Sequence, residues 1–152
     1  MNKRNGHENM NYFLKLNVVS MLYALMIFIP IQLMGNVYRI SRLITWEIDA
    51  VNILIGVLFI ICVIGGTILM LYLTRKWLGG QKANFWTVIL WIPYFMFFTY
   101  INASLFPITY GGDAPNPAVG LVALGSLIVY PFYILILNLF GYINYEKEYK
   151  TA

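Results

Sequence analysis

The chain contains few charged residues. Charged residues make up 11% of its 152 residues, against about 25% in soluble domains. Four long apolar stretches carry no charged side chain at all: Leu16–Tyr38, Ala50–Thr74, Ala83–Gly112 and Ala114–Tyr145. Carriers coupled to protons or ions usually place an ionisable group in the middle of the membrane. The absence of such a group argues against a carrier of that kind.

Cysteine and histidine occur once each, as Cys62 and His7. A single cysteine excludes an intrachain disulfide. One cysteine and one histidine far apart in the sequence do not make a metal centre or a Cys–His nucleophile pair. Sequence motifs of P-loop proteins, zinc proteases and serine hydrolases are also missing. We therefore expect a protein that is not an enzyme and that needs no cofactor or metal.

The chain is rich in long apolar segments. Hydrophobic residues make up 61% of it, and each uncharged stretch exceeds the ~20 residues that a helix needs to cross a bilayer. The pattern predicts an all-α integral membrane protein, a four-helix bundle with helices near residues 13–35, 51–74, 85–106 and 118–142. We expect residues 1–152 to form one transmembrane domain, with short polar tails at 1–12 and 146–152. The first apolar segment is longer than the 7–15 residues of a signal-peptide core, which predicts a retained helix.

The basic residues predict how the bundle is oriented. In a four-span topology the two tails and the second link share one side of the membrane, and the opposite side holds only Arg39 and Arg42. Basic residues favour the cytoplasmic side, so both termini are predicted to be cytoplasmic. The net charge of +4 then reflects topology and weak affinity for anionic lipid, with no nucleic-acid partner. The short tails and links suggest the cytoplasmic membrane of a prokaryote. The basic residues on the predicted cytoplasmic side are Lys3, Arg4, Lys15, Arg75, Lys76, Lys82, Lys147 and Lys150.

Small and neutral polar residues interrupt the predicted spans. Glycines in the second and fourth spans allow close backbone approach, so these two spans are the best candidates for close contact with each other or with a partner. Thr99, Asn102 and Ser126 form a candidate intramembrane polar contact. They fit either a ligand pathway or hydrogen bonds between helices, and we favour the hydrogen bonds. Three prolines lie within spans and fit either hinges or fixed kinks, and we favour fixed kinks: Pro30, Pro93 and Pro131.

Two links on the outer side carry a candidate contact site. Apolar residues recur at helical spacing through Val37–Ile48, as in a segment that lies flat in the membrane interface. The link Pro107–Pro117 is rich in turn formers, and Asp113 is its one charged residue. Asp113 is in a position to pair with either arginine of the first link, and Tyr110 is a candidate anchor. The candidate outer-face contact residues are therefore Arg39, Arg42, Tyr110 and Asp113.

These observations favour a protein that acts by interaction and without catalysis. We expect an accessory subunit of a membrane complex or an immunity-type protein, with the lipid bilayer and a protein partner or a second copy as its contacts. The alternative is an oligomeric transporter or channel component for a small neutral or peptide-like solute. An enzyme ranks last, because it would need to use the carboxylates at the outer interface: Glu47, Asp49 or Asp113.

Overall fold

The chain is built almost entirely of helix. A computed structural model describes the backbone of residues 3–79 and 81–151, and the side chains of residues 10–79 and 81–143. Within these ranges there is no strand. The long helices are α1 (Lys3–Gly35), α3 (Ile48–Lys76), α4 (Thr87–Leu105) and α5 (Pro117–Thr151), and α2 (Val37–Ile44) is a short helix between the first two.

The four predicted spans are confirmed. Four helical segments are long and apolar enough to cross a membrane, so the chain is a membrane protein of four spanning helices. The outer bounds differ from the prediction, because α1 begins at Lys3 and α5 continues to Thr151. The residues predicted as polar tails are therefore mostly helical. The hydrogen bonds of a helix lie within its own backbone, so a helix can continue past its apolar segment where no proline interrupts it. The four segments are Met10–Gly35, Ile48–Lys76, Lys82–Leu105 and Pro117–Ile143.

The first outer link folds into α2, which ends abruptly. Its C-terminal neighbour Thr45 has φ 57° and ψ 30°, in the left-handed region. That conformation is unusual for a β-branched residue. Two hydrogen bonds hold the turn, from the Trp46 amide to the Ser41 carbonyl oxygen at 3.2 Å and from Ser41 Oγ to the Trp46 carbonyl oxygen at 2.6 Å. The turn separates α2 from α3, so the chain reverses direction before re-entering the bundle.

The bundle is closed at one end and open at the other. We call the half next to the chain termini the inner half, and the half next to α2 the outer half. Most buried apolar side chains lie in the inner half, where α1 and α4 begin and where α3 and α5 end. Apolar side chains on α3 and α5 in the outer half are mostly exposed. Buried residues of the inner half are Leu16, Val19, Tyr23, Met70, Leu78, Trp91, Ile134 and Leu137.

Hydrogen bonds between helices also concentrate in the inner half. Tyr94 donates to Asn17 Oδ1 at 2.7 Å and so joins α4 to α1. Tyr130 donates to the carbonyl oxygen of Tyr23 at 2.6 Å and joins α5 to α1. Such bonds contribute roughly 0.6–2 kcal/mol each within a membrane. Together with the buried core they fix the inner ends of the four long helices.

Candidate functional site

An apolar cleft separates α5 from α1 and α3 in the outer half. Its volume is about 820 Å³, within the range of about 300–1,000 Å³ typical of ligand pockets. Among the described residues, its lining comes from α1, α2, α3 and α5, and none comes from α4. The cleft therefore lies on one flank of the bundle. Representative lining residues are Pro30, Met34, Ile55, Phe59, Val122 and Val129.

Two stacked tyrosines form the floor of the cleft. The rings of Tyr130 and Tyr133 are 5.7 Å apart at an interplanar angle of 20°. The Tyr133 hydroxyl lies 2.6 Å from Thr67 Oγ1, which itself donates to the Val63 carbonyl oxygen at 2.6 Å. The Tyr130 hydroxyl bonds to the backbone of Tyr23. Since both hydroxyls already have protein partners, the floor presents mainly ring surface to an occupant.

The walls of the cleft contain glycines that have open space beside their Cα atoms. A Cβ added at Gly56 on α3 or at Gly125 on α5 would have no atom within 4 Å among the described residues. In the inner half the opposite holds, because a Cβ at Gly141 would lie 2.6 Å from Cγ2 of Thr74. The helices α3 and α5 therefore approach each other closely at their inner ends. The small residues of their outer ends remain uncovered.

The candidate intramembrane polar residues do not meet in one place. Ser126 borders the cleft, whereas Thr99 and Asn102 are not among its lining residues. Both hydroxyls bond to their own helices, from Thr99 Oγ1 to the Phe95 carbonyl oxygen at 2.9 Å and from Ser126 Oγ to the Val122 carbonyl oxygen at 2.8 Å. The structure therefore does not assemble a polar pathway from these three residues.

The outer-face residues, in contrast, form one cluster. Arg42 binds Asp113 through two parallel hydrogen bonds, Nε to Oδ1 at 2.9 Å and Nη2 to Oδ2 at 2.7 Å. The Arg42 guanidinium also lies over the Tyr110 ring, 5.2 Å from its centroid. Arg39 donates from Nη1 to the carbonyl oxygen of Phe106 at 3.0 Å. Asp113 thus pairs with Arg42, and the cluster fastens the second outer link to α2.

The ion pair fixes the protonation state of its carboxylate. The hydrogen bonds from Arg42 hold the pKa of Asp113 below its ordinary value, and the charge of Arg39 acts in the same direction. Asp113 raises the pKa of Arg42 in return. The Asp113 side chain is 4% exposed and that of Arg42 is 48% exposed. A buried, ionised and doubly bonded carboxylate is suited to holding a loop and poorly suited to donating protons.

Sequence reasoning found the outer cluster but missed the cleft. The signal available for the cleft was the set of small residues in the second and fourth spans, including Gly56 and Gly125. Within the described residues, no group of three or more His, Cys, Asp or Glu side chains is arranged to hold a metal ion. Comparison with protein-family models, curated proteins and solved structures found no match to this chain.

Proposed function

We propose that this chain is a non-catalytic interaction protein of a membrane, either an accessory subunit of a membrane complex or an immunity-type protein. Its interaction surface is the outer-half cleft, and the occupant is an apolar transmembrane helix of a protein partner. The uncovered glycines of the cleft walls carry this proposal. Small residues in membrane helices allow neighbouring backbones to approach closely. Gly56 and Gly125 offer that approach and have no neighbour within the described chain.

The size of the cleft suits a helix that docks from the side. A helix rises 1.5 Å per residue and is about 10 Å wide with its side chains. A volume of about 820 Å³ therefore corresponds to roughly two turns of helix by these dimensions. A partner helix would fill the cleft over part of its length and meet lipid over the rest.

Burial of apolar surface does not by itself favour a protein partner over lipid. Lipid tails are as apolar as leucine, so membrane helices associate through close packing and hydrogen bonds. The residues Gly56, Ala123 and Gly125 of the cleft walls allow close backbone packing with a helix. Close backbone packing is the interaction that favours a partner helix over a lipid acyl chain in the cleft. The proposal thus depends on the small residues and not on the apolarity of the cleft.

Transport of a small neutral or peptide-like solute has less support. The cleft lies on a flank of the bundle and its lining is mainly apolar, although it includes Asn52 and Ser126. Thr99 and Ser126, the hydroxyl residues of the candidate pathway, are bonded to their own helices. A partner helix requires neither a polar lining nor a path along the bundle axis.

We also propose that the protein lies in a prokaryotic cytoplasmic membrane with both termini in the cytoplasm. Eight of the ten basic residues lie on the side of the termini, and basic residues favour the cytoplasmic side. The Arg42–Asp113 cluster then faces outward. A C-terminal fluorescent protein should fold and emit, whereas an alkaline phosphatase fused at the same place should be inactive. Active phosphatase at the C-terminus would reverse the orientation.

Two matched variants on α3 test the cleft as an interaction surface. Gly56→Leu places a large side chain at the cleft wall, and Gly65→Leu places the same side chain on the same helix outside the cleft lining. Both glycines are exposed and have open space beside them. Tagged protein is purified from native membranes in mild detergent, and co-purifying membrane proteins are quantified by mass spectrometry.

A partner retained by the wild type and by Gly65→Leu should be reduced about tenfold or more with Gly56→Leu, which corresponds to about 1.4 kcal/mol. Gly125→Leu on the opposite wall should have the same effect. Equal recovery of every co-purifying protein by all three variants would reject the cleft as the interaction surface.

A further inference from the structure

Four buried side chains with polar atoms, one from each long helix, form a group in the inner half. They are Tyr23 on α1, Thr74 on α3, Thr87 on α4 and Asn138 on α5. Three of these residues are 0% exposed and Asn138 is 1% exposed. We call this group the polar node. It lies apart from the cleft, and the proposed function makes no use of it.

Contacts between the helices bring the members of the node together. Asn138 Nδ2 donates to Thr87 Oγ1 at 2.8 Å, and Thr87 Oγ1 donates to the Asn84 carbonyl oxygen at 2.7 Å. The Tyr23 hydroxyl lies beside Thr74. The Thr74 side chain packs against Gly141, which is one turn beyond Asn138 on α5. Tyr23, Thr74 and Asn138 therefore lie at a similar level in the inner half of the bundle.

Three oxygen atoms of the node have no hydrogen-bond partner among the described residues. They are the Tyr23 hydroxyl, Thr74 Oγ1 and Asn138 Oδ1. Buried polar atoms in folded proteins nearly always have a partner, which is either protein or ordered water. Three unpaired oxygens on three different helices at one level of the bundle suggest a common explanation.

We propose that the polar node is a binding site for one structural water molecule. The numbers of donors and acceptors match. The Tyr23 and Thr74 hydroxyls each donate one hydrogen bond, and the Asn138 carbonyl oxygen accepts one. A water molecule that accepts from both hydroxyls and donates to Asn138 Oδ1 satisfies all three atoms. Buried waters typically make about three such bonds.

A metal cation fits the node less well than water does. All three oxygens are neutral. Asp113 is the buried carboxylate of the described residues, and it lies at the opposite end of the bundle. A buried cation without a nearby negative charge is strongly unfavourable. A water molecule brings no net charge, and its second hydrogen remains free for a backbone carbonyl.

The water links α1, α3 and α5, and the bond from Asn138 to Thr87 adds α4. The node thus ties all four spanning helices together at their inner ends. Among the residues that the structure describes, the outer ends of α3 and α5 have no comparable connection. The water therefore fixes the closed end of the bundle, while the cleft between the outer ends remains accessible.

The test is a high-resolution structure of the full chain in lipid nanodiscs, for the wild type and for the double variant Tyr23→Phe/Thr74→Val. We expect a density peak at about 2.7–3.2 Å from all three oxygens in the wild type, and no peak in the double variant. The thermal midpoint of the double variant should fall, whereas that of Tyr100→Phe, which removes an exposed hydroxyl, should stay unchanged.

Two results would overturn the water site. One is direct pairing among the Tyr23 hydroxyl, the Thr74 hydroxyl and Asn138 Oδ1, with no density peak between them. The other is a wild-type thermal midpoint that rises when choline chloride is replaced by sodium or potassium chloride at equal ionic strength, with Tyr23→Phe/Thr74→Val losing that rise. That result would identify a cation. Equal midpoints in all three salts, together with the peak, support the water.

Discussion

At the scale of single residues, Asp113 shows how far side-chain chemistry is predictable. Its isolation among turn formers predicts that it pairs with Arg39 or Arg42, and the structure pairs it with Arg42. The choice between the two arginines depends on how α2 is rotated about its axis. That rotation follows from tertiary packing and from the left-handed turn at Thr45, which residue types alone do not specify.

The ion pair makes a pH-dependent contribution to stability. The pKa of Asp113 is lowered in the folded protein from its ordinary value of 3.8, so the folded state binds this proton less readily than the unfolded state does. The contribution is complete at neutral pH and is lost as the pH falls below 3.8 through the lowered folded-state value. Asp113→Asn should therefore lower the thermal midpoint at pH 7, and this effect should shrink as the pH falls below 3.8.

Thermal unfolding of wild type and variant in detergent from pH 7 to pH 2 measures this difference. Glu47→Gln is the matched control, since Glu47 is exposed and its side chain makes no capping hydrogen bond. A difference between wild type and Asp113→Asn that stays constant over the whole pH range would contradict a stabilising ion pair.

At the scale of helices, the extent of a spanning helix was easier to predict than the positions at which it contacts other helices. Uninterrupted apolar sequence predicts α3 and α5 well, because a membrane-spanning backbone must satisfy its hydrogen bonds within the helix. Glycines predict that these two helices are suited to close contact with each other or with a partner, but they do not predict where that contact lies. In the structure, Gly141 touches Thr74 while Gly65 and Gly125 face open space. A glycine allows a neighbouring helix to pack closely, but it does not specify which helix packs there.

Alanine substitutions at two glycines should distinguish a glycine that contacts a neighbouring helix from one that faces open space. Gly141→Ala places a methyl group 2.6 Å from Thr74 Cγ2, and such overpacking costs about 1–3 kcal/mol. Gly65→Ala meets no atom within 4 Å among the described residues, and it should be neutral or stabilise by at most about 1 kcal/mol through reduced backbone entropy. Reversible unfolding in mixed micelles provides both free energies of unfolding. Equal effects of the two substitutions would mean that α3 and α5 do not touch at Gly141.

At the scale of the whole molecule, the bundle combines a closed inner half with an open outer half. The count of four spans was predictable from the sequence, since it needs only length and apolarity. The asymmetry was not predictable, because in lipid an apolar side chain suits both the protein interior and the membrane-facing surface. The exposed Phe59 and the buried Met70 are equally suitable for a spanning helix. What distinguishes the halves is polar bonding between helices, which depends on tertiary placement.

Disulfide cross-linking between α3 and α5 should show the asymmetry directly. The two helices run in the same direction, and Thr67 bonds with Tyr133 about two turns from the contact of Thr74 with Gly141. In a Cys62→Ala background, Thr74→Cys/Gly141→Cys should cross-link rapidly. An ideal Cβ at residue 141 lies 3.3 Å from the Cβ of Thr74, close to the distance of about 3.5–4.5 Å found in disulfides.

The matching outer pair is Phe59→Cys/Ser126→Cys, which keeps the same spacing along the sequence and places one cysteine on each wall of the cleft. It should oxidise at least tenfold more slowly than the inner pair, because the cleft separates α3 from α5 at this level of the bundle. Non-reducing gels over a time course of copper phenanthroline oxidation measure both rates. If the outer pair linked as fast as the inner pair, α5 would close onto α3 in the membrane, and no partner helix would find space between them.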